Sequence, residues 1–240
     1  VKDSASVTVM DCTEPASWGP AIDEAVNVLA RGALVVLPTD TVYGIGADAF
    51  APAAVAALLA AKGRGRQMPP PVLVPAVATV DGLCAQVPEA ARRLMEAFWP
   101  GALTIICRAQ PSLAWDLGDT SGTVAVRMPN HPAALALLRR TGPLAVSSAN
   151  RTGGPAAMTA EEARDQLGDA VALYLDGGRA PGGVASTIVD ATGERLRVVR
   201  AGALDLTTLR SVVEGVEGVE GVEGVEGVEG VEGVEAGEAG

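Results

Sequence analysis

The chain has 240 residues, of which 48% are hydrophobic and only 3% aromatic, so a substantial core must be filled by Val, Leu, Ile and Ala. Its formal charge of −11 is concentrated in nine glutamates between Glu214 and Glu238, and the remainder carries only about −2. A body so close to neutral lacks the broad basic surface of a protein built mainly to hold nucleic acid. Cys12, Cys84 and Cys107 are odd in number and far apart. They offer neither metal-ligand spacing nor a disulfide framework, and predict free thiols in a reducing compartment. Val1 to Met10 lacks the basic-then-apolar pattern of a signal peptide, and no apolar stretch is long enough to span a bilayer. These features predict a cytoplasmic protein without membrane attachment.

Taken in chain order, residues 1–17 read as an N-terminal segment and 18–212 as one domain of alternating helices and strands. Pro20–Ala30 reads as an amphipathic helix, and the continuous apolar run Ala33–Leu37 as a buried strand. Ala53–Ala61 predicts a helix, Val72–Val74 a strand, and Pro88–Phe98 a helix with proline in its first turn. Leu103–Cys107 and Val124–Arg127 read as strands, Pro132–Arg140 as a helix and Leu144–Val146 as a short strand. Thr159 caps a helix over Ala160–Leu167, with Glu162 completing a capping box. Leu173–Leu175, Thr187–Val189 and Leu196–Val199 are further strands. The sum is one mixed α/β sheet covered by helices. From Val213 to Gly233 the triplet Val-Glu-Gly repeats. Its period matches neither strand nor helix, so residues 213–240 predict a solvated, disordered tail.

Five blocks could carry chemistry. Leu37-Pro38-Thr39-Asp40-Thr41-Val42-Tyr43-Gly44-Ile45-Gly46 leaves a buried strand and is expected to turn through its glycines, at the kind of strand end where α/β folds place ligands. It is not a P-loop, because the Gly-Lys-Ser/Thr ending is missing. Lys62-Gly63-Arg64-Gly65-Arg66 sets three cations at alternate positions between glycines, a pattern suited to phosphate as well as to a solvated helix C-terminus. Arg127 ends an apolar strand and calls for an anionic partner, either structural or a substrate carboxylate. Ser147-Ser148-Ala149-Asn150 follows a short strand with small polar groups. Ser186-Thr187 and Arg200 stand at the start of one strand and the end of the next. His131, the one histidine, reads as a helix N-terminal residue, and no Ser-His-Asp arrangement can be built.

In this order, together with Trp99-Pro100-Gly101-Ala102-Leu103-Thr104, the blocks resemble the YrdC-like family, the L-threonylcarbamoyladenylate synthases, over roughly Trp18 to Leu204 and in the short, single-domain branch. The resemblance implies a twisted mixed α/β sheet with helices around a positively lined cavity. It implies a nucleotidyltransferase that forms threonylcarbamoyl-AMP and pyrophosphate from L-threonine, bicarbonate and ATP, for the t6A modification at tRNA position 37. Carried over, Thr41, Arg127, Ser148 and Ser186 are expected to contact threonine. Arg66, Thr123, Asn150 and Arg200 are expected to contact ATP, and Lys62, Arg64 and Arg66 to act beside its phosphates. Mg²⁺ is expected to arrive with ATP, with no metal site in the protein. The product is expected to pass to a tRNA threonylcarbamoyl transferase complex, and tRNA contact is compatible with the reaction but not required by it. The chain departs from the family at Pro70 and Pro71, where Asn-Pro is common, at Pro75, where a histidine is usual, and at Met158, where Thr or Ser is common. Lys62 and Arg64 remain alternatives for the family lysine. Two other readings are an RNA-binding module of the same fold and a nucleotide-binding relative acting on another carbamoyl adenylate.

Overall fold

The structure, a computed structural model, describes residues 7–16 and 18–219. The repeat from 220 onward therefore lies outside the described residues. Chain order gives β1 (Thr8–Asp11), α1 (Trp18–Ala30), β2 (Val35–Leu37), β3 (Gly44–Asp48), α2 (Pro52–Ala61), β4 (Val72–Leu73), α3 (Val80–Leu83), β5 (Cys84–Gln86) and α4 (Glu89–Phe98). There follow β6 (Leu103–Ala109), β7 (Thr123–Arg127), α5 (Pro132–Thr141), β8 (Leu144–Ser148), α6 (Ala160–Leu167), β9 (Leu173–Asp176), β10 (Thr187–Asp190), β11 (Arg197–Arg200) and α7 (Leu206–Val212). The strands form one mixed sheet in the order β1-β9-β2-β3-β8-β4-β7-β6-β10-β11, with β5 alongside β6.

Strand periodicity divides the core. In β2, Val35 and Leu37 join the cluster under α1 and α5, while Val36 joins the opposite cluster under α2 and α6. The strand is thus buried on both faces, which explains its unbroken apolar run. The other half of the sheet is covered differently. Leu103, Ile105 and Cys107 of β6 and Val124 and Val126 of β7 pack with Leu94 and Met95 of α4. Their alternate neighbours Thr104, Ile106, Thr123, Ala125 and Arg127 face a cavity instead. Over this half, an open space replaces a second helical layer.

Three local outcomes differ from expectation. Gly44-Ile45-Gly46 is not a turn but the first part of β3, antiparallel to both β2 and β8. Its glycines serve close packing, since a Cβ on Gly44 would lie 2.6 Å from Val146 Cγ1. The turn is made earlier, over Pro38 to Val42. The N-terminal segment supplies an edge strand, β1, parallel to β9. The first repeats also pack on the body rather than leaving it at 212. Val216 is 1% exposed, Glu217 N–H donates to the Leu196 carbonyl at 2.8 Å, and Val198 N–H donates to the Glu217 carbonyl at 2.9 Å. One valine finds an apolar seat and one backbone segment pairs with the edge of β11, which composition alone does not reveal.

The expected cap at α6 forms: Glu162 N–H donates to Thr159 Oγ1 at 3.1 Å, while the Glu162 carboxylate takes the Met158 N–H at 2.6 Å. The three cysteines are free and buried. Among the described residues, no helix is long and apolar enough to cross a membrane.

Candidate active site

The cavity has a volume of about 390 Å³. Its floor is the uncovered face of β6, β7 and β10. Its walls are the β2–β3 turn, the end of β8, the loop after α2 and the end of β11. The register sets Thr104, Ile188 and Arg200 in one row across β6, β10 and β11.

Three guanidinium groups converge on this space. Arg127, 7% exposed at the end of β7, donates from Nε to the Gly101 carbonyl at 2.9 Å and from Nη1 to Thr41 Oγ1 at 3.0 Å. Its Nη2 pairs with Asp40 Oδ1 at 2.7 Å. The anionic partner that its burial demands is therefore inside the protein. Arg200 reaches from β11 to Ser186, donating from Nη2 to its carbonyl at 2.6 Å and to its Oγ at 3.1 Å. Arg64 donates to Ser147 Oγ at 3.3 Å, and its buried Nε has no partner among the described residues.

Burial lowers the pKa of all three guanidinium groups, and the Arg127 and Arg64 charges lower that of Arg200 further. Asp40 offsets Arg127, whereas Arg64 and Arg200 have no carboxylate within salt-bridge distance among the described residues. These two supply the uncompensated positive charge that suits an anionic ligand.

Hydroxyls complete the lining. Ser186 Oγ lies 2.8 Å from Thr104 Oγ1, Thr41 Oγ1 lies 3.0 Å from Thr39 Oγ1, and Thr123 Oγ1 donates to the Thr120 carbonyl at 2.7 Å. Of the residues expected to act, Thr41, Arg64, Thr123, Arg127, Ser148, Ser186 and Arg200 line the cavity.

Lys62, Arg66 and Asn150 do not line it. Lys62 is 1% exposed, and its ammonium turns inward to donate to the carbonyls of Ser148 and, at 2.6 Å, Asn150. Burial, helped by the Arg64 charge, pulls its pKa down to about 8. These two bonds tie it to the chain leaving β8. Arg66 points outward to a two-pronged pair with Asp116, at 3.0 and 2.9 Å, and to Asp119 at 3.4 Å. Asn150 spends its amide on the carbonyls of Arg151 and Gly154, at 2.8 and 2.9 Å.

The remaining positions fall on either side of the wall. Pro70 lines the cavity, whereas Pro75 and Met158 do not. His131 sits at the N-cap of α5 as expected, with its pKa lowered by burial. Thr104, Ser147 and Asp40 are the groups that residue-by-residue reading passed over. Thr104 carried a local signal as a hydroxyl inside the otherwise apolar run Leu103–Cys107, and Ser147 as one of the small polar groups that follow a short strand.

A lip closes over one side. Asp119 N–H donates to the Arg66 carbonyl at 2.8 Å. Gly118, at φ +104°, lies so close that a Cβ there would be 2.6 Å from the same oxygen. Phe50 and Trp115 stack nearby with ring centres 5.5 Å apart.

Known proteins share this architecture. The Sua5/YciO/YrdC family model, described as "Telomere recombination", matches residues 27–202. A Mycobacterium tuberculosis protein, provisionally named a threonylcarbamoyl-AMP synthase, is 54% identical over 203 residues, covering 85% of this chain and 94% of its own. The Bacillus subtilis threonylcarbamoyl-AMP synthase is 38% identical over 85% of this chain and 60% of its own length. The crystal structure of Pyrococcus abyssi Sua5 complexed with L-threonine superposes with a TM-score of 0.84 at 31% identity, over 88% of this chain and 62% of that one. By sequence and by fold, the chain belongs to the Sua5/YciO/YrdC family.

Proposed function

We propose that the protein forms threonylcarbamoyl-AMP and pyrophosphate from L-threonine, bicarbonate and ATP, supplying the t6A modification of tRNA. The convergence of Arg64, Arg127 and Arg200 on one hydroxyl-lined cavity carries this reading. The names of the relatives and the threonine complex of the Pyrococcus abyssi neighbour support it. The inward direction of these charges favours a small anionic substrate over an RNA surface.

Threonine's amine and bicarbonate give a carbamate with loss of water. The carbamate oxygen then attacks the α-phosphorus of ATP, and the bond to the departing pyrophosphate breaks. No covalent enzyme intermediate is needed, so positioning and charge neutralisation are the protein's contribution. Arg127 has committed three of its five N–H groups and keeps two for threonine's carboxylate. Thr41, Ser148 and Ser186 meet the rest of the amino acid. Arg64 and Arg200 offset phosphate charge, and Thr123 stands beside the nucleotide.

Lys62 acts through the carbonyls of Ser148 and Asn150, and Arg66 through the lip, which amends the direct phosphate contacts expected of them. Among the described residues, no three acidic, histidine or cysteine side chains cluster as a metal cage. We take Mg²⁺ to be carried on the nucleotide's phosphates. We place the reaction in the cytoplasm, upstream of a tRNA threonylcarbamoyl transferase complex. The test is purified protein with labelled ATP, threonine and bicarbonate. A labelled adduct and pyrophosphate that require both co-substrates are expected, and ATP turnover indifferent to threonine would overturn the proposal.

A further inference from the structure

The hydrogen bonds at the β2–β3 turn give a direction to the site. Thr39 Oγ1 donates to the Val42 carbonyl at 2.6 Å, and a carbonyl can only accept. The Thr39 hydrogen is therefore spent. Thr39 Oγ1 also takes the Thr41 N–H at 3.1 Å and lies 3.0 Å from Thr41 Oγ1. In that last contact Thr41 has to be the donor. Arg127 Nη1 in turn donates to Thr41 Oγ1 at 3.0 Å, and a guanidinium cannot accept. The bonds run one way, from Arg127 to Thr41 to Thr39 to Val42, and each polarises the next.

Thr39 has then used its hydrogen and both acceptor positions. Thr41 has used its hydrogen and one acceptor position, and retains a single lone pair. Both hydroxyls are buried, at 3% and 2% exposure, in the cavity wall.

We propose that Thr39 is a positioning residue that fixes the polarity of Thr41, so that the space before Thr41 selects a substrate group that donates a hydrogen bond and rejects one that only accepts. This rests on the reading of the substrate as L-threonine. It assigns threonine's alcohol, rather than its carboxylate, to Thr41, because a carboxylate there would set lone pair against lone pair. The carboxylate is left to the two uncommitted N–H groups of Arg127.

The test is calorimetric binding of three amino acids to wild type, Thr39→Val, Thr39→Ala and Thr39→Ser, with a thermal melt of each. L-Threonine donates and accepts. The near-isosteric 2-amino-3-fluorobutanoate accepts weakly and cannot donate, and 2-aminobutanoate does neither. Wild type should prefer threonine to the fluoro compound about tenfold or more, and bind the fluoro compound no better than 2-aminobutanoate. Thr39→Val and Thr39→Ala free the Thr41 hydroxyl to turn outward, so the preference for threonine over the fluoro compound should shrink severalfold. Thr39→Ser should restore it. Equal binding of threonine and the fluoro compound by wild type overturns the proposal, even if no variant folds. So does uniform weakening of all three ligands in the Val and Ala variants, which marks a merely structural role. Absence of threonine binding by wild type removes the functional reading and this proposal with it, whereas threonine binding with an unchanged ratio removes this proposal alone.

Discussion

The loop after α2 and the strand ends of β7 and β11 bring cations to the same cavity by different means. In the loop, alternate positions diverge. Lys62 turns in to the carbonyls of Ser148 and Asn150, Arg64 enters the cavity, and Arg66 turns out to Asp116 and Asp119. On the strands, Arg127 and Arg200 are aimed by the pleat and tied to carbonyls of Gly101 and Ser186. A run of cations in a glycine-rich loop therefore announces charge without direction, whereas an arginine at a strand end inherits its direction from the sheet.

This contrast can be broken by substitution. Arg127→Ala should have the largest effect, because it removes the cation paired with the largely buried Asp40 and leaves that carboxylate only the Asn130 N–H. A loss of about 3 kcal/mol in stability is expected by denaturant unfolding, together with a threonine KM raised far more than the ATP KM. Arg64→Ala and Arg200→Ala should lower the rate of pyrophosphate release about 10²-fold. Their melting temperatures should stay close to that of wild type, since neither removal isolates a carboxylate.

Lys62→Met should cost about 2 kcal/mol by removing two charge-assisted hydrogen bonds and leaving the Asn150 carbonyl without its ammonium donor. It should also change the pH dependence of stability. The folded-state pKa of Lys62 is about 8, below the ordinary lysine value of 10.5. Between these values the unfolded chain holds the extra proton, so this group makes stability rise with pH across that window. The rise should be present in wild-type unfolding curves and missing from the Met variant. Arg66→Ala should matter least, leaving the unfolding midpoint close to that of wild type because the pair with Asp116 is exposed and solvent-screened, and changing turnover by less than about threefold. A hundredfold loss there would show that Arg66 leaves Asp116 to grip phosphate.

Much of the fold was legible because burial writes itself into sequence. The runs in β2 and β6, the cap at Thr159 and the proline at the head of α5 all mark real elements. β3 was not legible, since Gly44-Ile45-Gly46 reads as a turn until Val146 is seen packed against it. β1 is short and largely exposed, so it lacks an apolar signature. α7 was overlooked although Asp205 caps it through the Thr208 N–H. At the site, Thr41, Arg127, Ser186 and Arg200 followed from their places in ordered blocks. The inward turn of Lys62 and the pairing of Asp40 with Arg127 depend on contacts between residues more than eighty positions apart. No local pattern encodes those.

The seat of Val216 and Glu217 beside β11 has a consequence for how the gene can vary. Each triplet between Val213 and Gly233 is identical to the next. Loss or gain of a single copy therefore restores the same residues to positions 213–219. Copy number can drift while the strand edge keeps the same occupant, so length variation at this terminus is buffered by redundancy.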